Sequence, residues 1–231
     1  MMKTILRYAA GFLVLGFLWH AGSVLRGEEL LPRPVATTAL FFERLATAEF
    51  WGHIGISFAR LLAGLFVALA TALPLGLLMG HWRLFDGAPS PLLFVPYPSP
   101  KIGLLPVFFA LVGLGDASRV LLIALTVGYQ MLVILRATAQ ALDPSYLQAF
   151  LSMGGTKREA VRHVYLPALL PSLFTSLKVA SGTAMAVLFL AESFATTSGL
   201  GYLIMDAWGM GDVEGMFVDI LAMSLLGLFF Y

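Results

Sequence analysis

The chain has 231 residues, 59% of them hydrophobic and 12% charged, with a net charge of +1 and no cysteine. Soluble domains hold about 45–50% apolar and about 25% charged residues, so this composition describes an integral membrane protein. The near-neutral charge gives no footing for nucleic acid. The missing cysteines exclude disulfides, zinc thiolates and thiol nucleophiles, and long unbroken apolar runs exclude a transmembrane β-barrel.

At about 20 residues per crossing, six helical spans fit this length. The first is read at residues 5–25. Lys3 and Arg7 would also suit a signal peptide, but the apolar run from Ala9 to Val24 is long for one and no small-x-small site closes it. The second span, 53–79, carries Gly64, Ala68, Ala72, Gly76 and Gly80 on one stripe, the small-residue device by which helices pack closely in lipid. Residues 94–106 follow, where Pro96, Pro98, Pro100 and Pro106 bar a regular helix; irregular backbone at membrane depth is tolerated only when it is buried or lines a cavity. The third span is read at 102–114 and the fourth at 119–139.

Residues 143–167 form the longest polar island after residue 50. Asp143 suits an N-cap and Pro144 the first helical position. Leu147, Phe150 and Leu151 make the following helix amphipathic. Gly154 and Gly155 can end it. Thr156 and Glu159 stand at capping-box spacing, so a second helix starts at Lys157. Pro167 is expected to end or bend that helix, because a proline disfavours helical geometry in the residue before it.

The fifth span, 166–190, repeats the small stripe with Ser172, Ser176, Ala180 and Ala184, and this helix and the second are expected to form the packed centre. Residues 195–215 read as a turn and a short helix. The sixth span, 216–231, is short for about 30 Å of hydrocarbon, and the native chain is expected to continue past Tyr231.

With the N-terminus inside, Lys3, Arg7, Arg83, Arg136, Lys157, Arg158 and Arg162 fall on the cytoplasmic side, against Arg26, Arg33, Arg44 and Arg119 outside. This bias places the 143–165 hairpin and both termini in the cytoplasm. Arg60, Lys178 and Glu192 lie in or at the ends of spans. Ionisable groups there are costly, yet all three are read within reach of an interface, so snorkelling is expected, with Glu192 the best functional candidate.

Catalytic chemistry is missing from the sequence. No Gly-rich run followed by Lys and Ser/Thr cradles a phosphate. His20, His53, His81 and His163 are scattered without metal-ligand spacing. The chain reads as no enzyme, binding no cofactor of its own.

The hairpin resembles the EAA loop of permease subunits of bacterial ATP-binding cassette importers. Gln148-Ala149-Phe150 occupies the Glu-Ala-Ala positions, Gly154 the glycine, and Leu166-Pro167 the closing Leu-Pro. Gln148 stands where the pattern has Glu, and Phe150 where it has a small residue. YPSPKIGLLPVFFALVGLG from Tyr97 to Gly115 is similar to a stretch of the nitrate/sulfonate/taurine branch, as are Glu192 with SGLGYLI and SFARLLAGLFVAL from Ser57.

This resemblance implies an all-α, six-span type I importer permease fold over residues 1–231, with a cytoplasmic coupling-helix hairpin, in the bacterial inner membrane. It implies a second permease copy, a cytoplasmic ATPase dimer holding ATP and Mg, a periplasmic or lipid-anchored solute-binding protein, and a small anion as solute: a sulfonate, taurine, nitrate or bicarbonate. The residues expected to couple to the ATPase are Leu147, Gln148, Ala149, Phe150, Leu151, Gly154, Gly155, Lys157, Arg158, Leu166 and Pro167. Those expected in the translocation path or its gate are Tyr97, Pro98, Lys101, Pro106, Ser181, Glu192, Ser198 and Gly199. Lys157, Arg158 and Arg162 would meet acidic ATPase residues or lipid headgroups. A secondary transporter or channel without an ATPase is the competing class, and a structural membrane anchor a third. The sequence shows neither the internal repeat of many secondary transporters nor the unbroken helices of a simple anchor.

Overall fold

The computed structural model describes residues 2–81 and 99–231. Tyr97 and Pro98 lie outside them. Every element among the described residues is helical. Four helices are long and apolar enough to cross a membrane, at 48–80, 116–140, 157–192 and 213–230. By contact, the chain divides into two units, Met1–Ser57 with Glu192–Leu226, and Phe58–Ala191 with Gly227–Tyr231.

In the first unit, α1 (Met2–Arg26) leads to α2 (Pro34–Leu45). The Trp19 indole donates to the Pro32 carbonyl at 2.9 Å and its ring lies 5.8 Å from that of Phe217. The described side chains of α1 are largely exposed and apolar, Phe12, Leu13, Leu15 and Phe17 among them, as suits a lipid-facing helix. The unit also holds the start of α3 (Ala48–His81), then α9 (Leu200–Met210) and most of α10 (Val213–Phe230). Arg44 of α2 pairs with the buried Asp219 of α10 at 2.9 Å.

The second unit is built around α5 (Asp116–Gln140), in which Leu122, Ile123, Val127, Met131 and Leu135 are wholly buried. The glycine stripe of α3 packs against it. Gly64 faces Ile123, Gly128 faces Ala68, Gly76 faces Leu135 and Gly80 faces Ala139, and in each case a Cβ on the glycine would crowd that neighbour. Residue numbers rise together along this seam, so α3 and α5 run parallel. The Arg60 guanidinium, 4% exposed, closes its start on Asp116, with Nε at 2.8 Å and Nη2 at 2.6 Å. In place of the snorkelling expected for Arg60, its buried guanidinium pairs with Asp116, whose own side chain is exposed. The stripe on α8 (Leu166–Glu192) is buried as expected at Ser176, Ala180 and Ala184. The partner seen for the α3 stripe, however, is α5.

Two further expectations are corrected. Residues 102–114 do not form one crossing helix: a 3-10 turn, Lys101–Leu104, precedes α4 (Leu105–Val112). Eight residues rise about 12 Å, well short of about 30 Å of hydrocarbon. Pro106 sits in the first turn of α4 and Gly113 ends it, punctuation that a hydropathy count does not feel. Pro167, in turn, does not end the hairpin's second helix. After α6 (Pro144–Ser152), α7 (Lys157–Ala160) runs through a π turn, Val161–Tyr165, directly into α8. The widened turn falls where Pro167 withholds its amide from the carbonyl four residues back.

Candidate functional site

Two constellations carry the chemistry, one in each unit. The first is the polar hairpin in the second unit. Its caps form as the spacing predicts: Ser145 N–H donates to Asp143 Oδ1 at 2.8 Å, Glu159 N–H to Thr156 Oγ1 at 3.3 Å, and Thr156 N–H to Glu159 Oε2 at 2.8 Å. These bonds hold both carboxyls below their ordinary range, Asp143 through the Ser145 amide and Glu159 through the Thr156 amide and hydroxyl. Gly154 turns the chain at φ +92°, a conformation that costs any other L-residue strain. The Phe150 ring lies over Gly155, where a Cβ would collide with it. It also stacks on His163 at 5.9 Å, binding α6 to the π turn. Phe150 thus fills the hinge between the two helices.

Beside this hinge runs an apolar groove of about 490 Å³, lined by residues including Tyr146, Ala149, Phe150, Met153, His163 and Val164. Leu147, Phe150 and Leu151 are half-buried against the hairpin, while Gln148 and Ala149 are exposed. The large exposed apolar side chains on α6 and its C-terminal turn are Tyr146 and Met153. Lys157, Arg158, Arg162 and Pro167 are also exposed, and Leu166 is half-buried.

The second constellation is a buried clasp in the first unit. Glu192 is 0% exposed and accepts the Ser57 hydroxyl, with Oε1 at 2.9 Å and Oε2 at 2.8 Å, and the Gly201 amide at 2.9 Å. The same Ser57 oxygen accepts the Leu200 amide at 2.8 Å, and Gly199 N–H donates to His53 Nδ1 at 3.1 Å. Gly199, at φ +107°, lies so close to the Glu192 carboxylate that no Cβ fits. Of the residues expected in the translocation path or its gate, Glu192 and Gly199 lie against each other, while the Ser198 amide donates to Thr196 Oγ1 at 3.2 Å. Glu192 does not snorkel; it is enclosed and satisfied by polar groups. Ser57 and His53 escaped the sequence reading because their partners lie some 140 residues away.

The remaining candidates are dispersed. Pro106 is exposed on α4. Ser181 is buried and gives its hydroxyl to the Lys178 carbonyl at 2.7 Å. The Lys101 ammonium lies 4.7 Å over the Tyr129 ring. Arg119, counted as a flanking charge in the sequence, is 1% exposed; it donates to the carbonyls of Ala191 at 3.0 Å, Leu114 at 2.7 Å and Gly115 at 3.0 Å.

Residues 72–231 match the family described as the binding-protein-dependent transport system inner membrane component. The chain belongs to that family: it is an importer permease of the ATP-binding cassette class and a multi-pass inner-membrane protein. It is similar to the taurine transport system permease protein of Escherichia coli, 29% identical over 69% of this chain and 58% of that protein. It is also similar to the formylaminopyrimidine transport permease protein of Halalkalibacterium halodurans, 28% identical over 94% of this chain and 87% of that protein.

Proposed function

We propose that this chain forms, with a second copy, the translocation path of an ATP-driven importer for a small organic or inorganic anion delivered by a separate binding protein. ATP and Mg belong to a cytoplasmic ATPase dimer, and this chain binds neither. The α6–α7 hairpin lies on the cytoplasmic side, as does the N-terminus, and docks into the ATPase. The whole of residues 1–231 acts as one six-span permease domain.

The observation that carries the reading is the hairpin itself. Paired caps, the Gly154 turn and the Phe150–His163 stack make a preformed structure with an apolar groove and an exposed cationic edge. Amphipathic helices dock through such apolar anchors; Tyr146, Ala149 and Met153 would meet the partner, with Lys157 and Arg158 beside them. Because the hairpin continues without a break into α8, movement of the ATPase would reach the membrane. Similarity to a taurine permease supports a solute that bears a sulfonate group.

Purification of the tagged permease expressed with its neighbouring transport genes tests this. The ATPase is expected to copurify, and Gly154→Val to remove it together with uptake. If Gly154→Val left both ATPase association and uptake intact, the hairpin would not be the coupling element.

A further inference from the structure

We propose that His53 is a positioning residue that acts on α9 through a proton: its neutral imidazole holds the start of that helix, and protonation between pH 8 and pH 5 releases it. The first amides of a helix have no partner within it. Gly199 caps α9, its carbonyl accepting the Leu203 amide at 3.2 Å, but it has no side chain to serve the amides that follow. Remote residues serve them instead. His53 Nδ1 accepts the Gly199 amide at 3.1 Å, Ser57 Oγ the Leu200 amide at 2.8 Å and Glu192 Oε2 the Gly201 amide at 2.9 Å. His53 and Ser57 stand four residues apart on α3, so one face of that helix supplies two of the three acceptors.

The three acceptors differ in access. Ser57 and Glu192 are sealed from solvent, whereas His53 is half-buried. It borders a cavity of about 310 Å³ that Arg44, Thr47, Glu49, Phe50 and Leu203 also line. Its ring stacks on Tyr202 at 5.9 Å, within 15° of parallel, which fixes the direction of Nδ1. To accept from the Gly199 amide, Nδ1 must carry no proton, so the imidazole is neutral with its hydrogen on Nε2. Imidazole is the side chain that ordinarily exchanges a proton between pH 5 and pH 8. A proton on Nδ1 sets one N–H against another and brings positive charge to the positive end of the α9 dipole, so both effects oppose the native contact. The charged and titratable groups around the ring are Arg44 of α2, Glu49 of α3, Tyr202 and Asp206 of α9 and Glu192 of α8, and Arg44 is already engaged by Asp212 and Asp219. Gly199 is among the residues expected at the gate, so on the importer reading acid loosens the gate first.

Hydrogen exchange of the full chain, purified with its coexpressed partners, tests this at pH 8 and pH 5. Rates are corrected for the intrinsic effect of pH and read in overlapping peptides across residues 195–210, with the buried helix α5 as internal reference. Protection at the start of α9 is expected to fall about tenfold at pH 5, in keeping with the loss of one hydrogen bond and one unfavourable charge at the dipole. His53→Asn places a carbonyl oxygen where Nδ1 stands and does not titrate, so it is expected to keep the protection at both pH values. His53→Leu has no acceptor and is expected to give the low protection at both. Equal protection of the parent protein at pH 8 and pH 5 would overturn the assignment without recourse to any variant. A fall of the same size in His53→Asn would overturn it too, because the proton would then act elsewhere. Exchange is read without uptake or ATP, so its outcome stands apart from that of the importer reading, which ATPase copurification decides.

Discussion

The Ser57 hydroxyl donates to the Glu192 carboxylate at 2.8 Å across 135 residues of sequence, and both side chains are sealed from solvent. The pair holds the backbone of Leu200 and Gly201 through their amides, so one carboxylate and one hydroxyl set the course of the chain into α9.

Glu192→Ala removes the acceptor from a buried hydroxyl and a buried amide. Each orphaned donor costs about 1–3 kcal/mol. A clear fall in thermal unfolding temperature in detergent is expected, with Glu192→Gln milder because it keeps an acceptor oxygen. Equal stability of Glu192→Ala and the parent protein would show that the clasp contributes little.

The hinge of the hairpin makes a paired prediction. Gly155→Ala places a methyl group in the Phe150 ring and is expected to lower recovery of the ATPase. Phe150→Ala makes room for it, so the double variant is expected to behave as Phe150→Ala alone. Neighbours in contact couple by about 0.5–3 kcal/mol, and strictly additive losses would contradict the geometry.

How far the sequence could be read depended on where each partner lies. The hairpin was legible because its caps are local: Asp143 bonds two residues on and Thr156 three. The small-residue stripes were legible as packing faces, since Ala72 and Ala180 needed no partner to be recognised as buried. Buried charge was not legible. Arg119 beside an apolar run looks the same whether it flanks the helix in water or folds back on Leu114, Gly115 and Ala191. Arg60 and Glu192 invited the snorkelling reading for the same reason, because their partners are remote in sequence. The third span was overextended because hydropathy sums leucines and is blind to the backbone break at Gly113.

The hairpin caps also set a pH dependence. Asp143 and Glu159 both titrate below their ordinary values when folded. A carboxyl depressed in the folded state adds stability above its unfolded value and loses it as pH falls through the folded value. Hydrogen exchange of α6 and α7, corrected for intrinsic rates, is therefore expected to be unchanged from pH 7 to about pH 5 and to rise below about pH 4. Asp143→Asn is expected to blunt the change around α6. Loss of protection between pH 7 and pH 5 would place control elsewhere.

Substitutions along α3 are expected to divide by face. Gly64→Leu and Gly80→Leu drive a side chain into α5 and are expected to destabilise by about 1–3 kcal/mol or more. Gly55→Leu meets open space and is expected to be neutral or slightly stabilising, since leucine forms helix better than glycine. Thermal unfolding of the three variants in one detergent checks the contrast.

The seam between α3 and α5 bears on how such a machine moves. From Gly64 to Gly80 the two backbones stay in near contact over about 24 Å. Sliding one helix by a single residue would replace each glycine notch with a bulkier neighbour, so shear along this line is blocked. The two helices form a stiff plank that tilts or stays still as one piece, and any flexing of the transport cycle falls on joints that the plank does not brace.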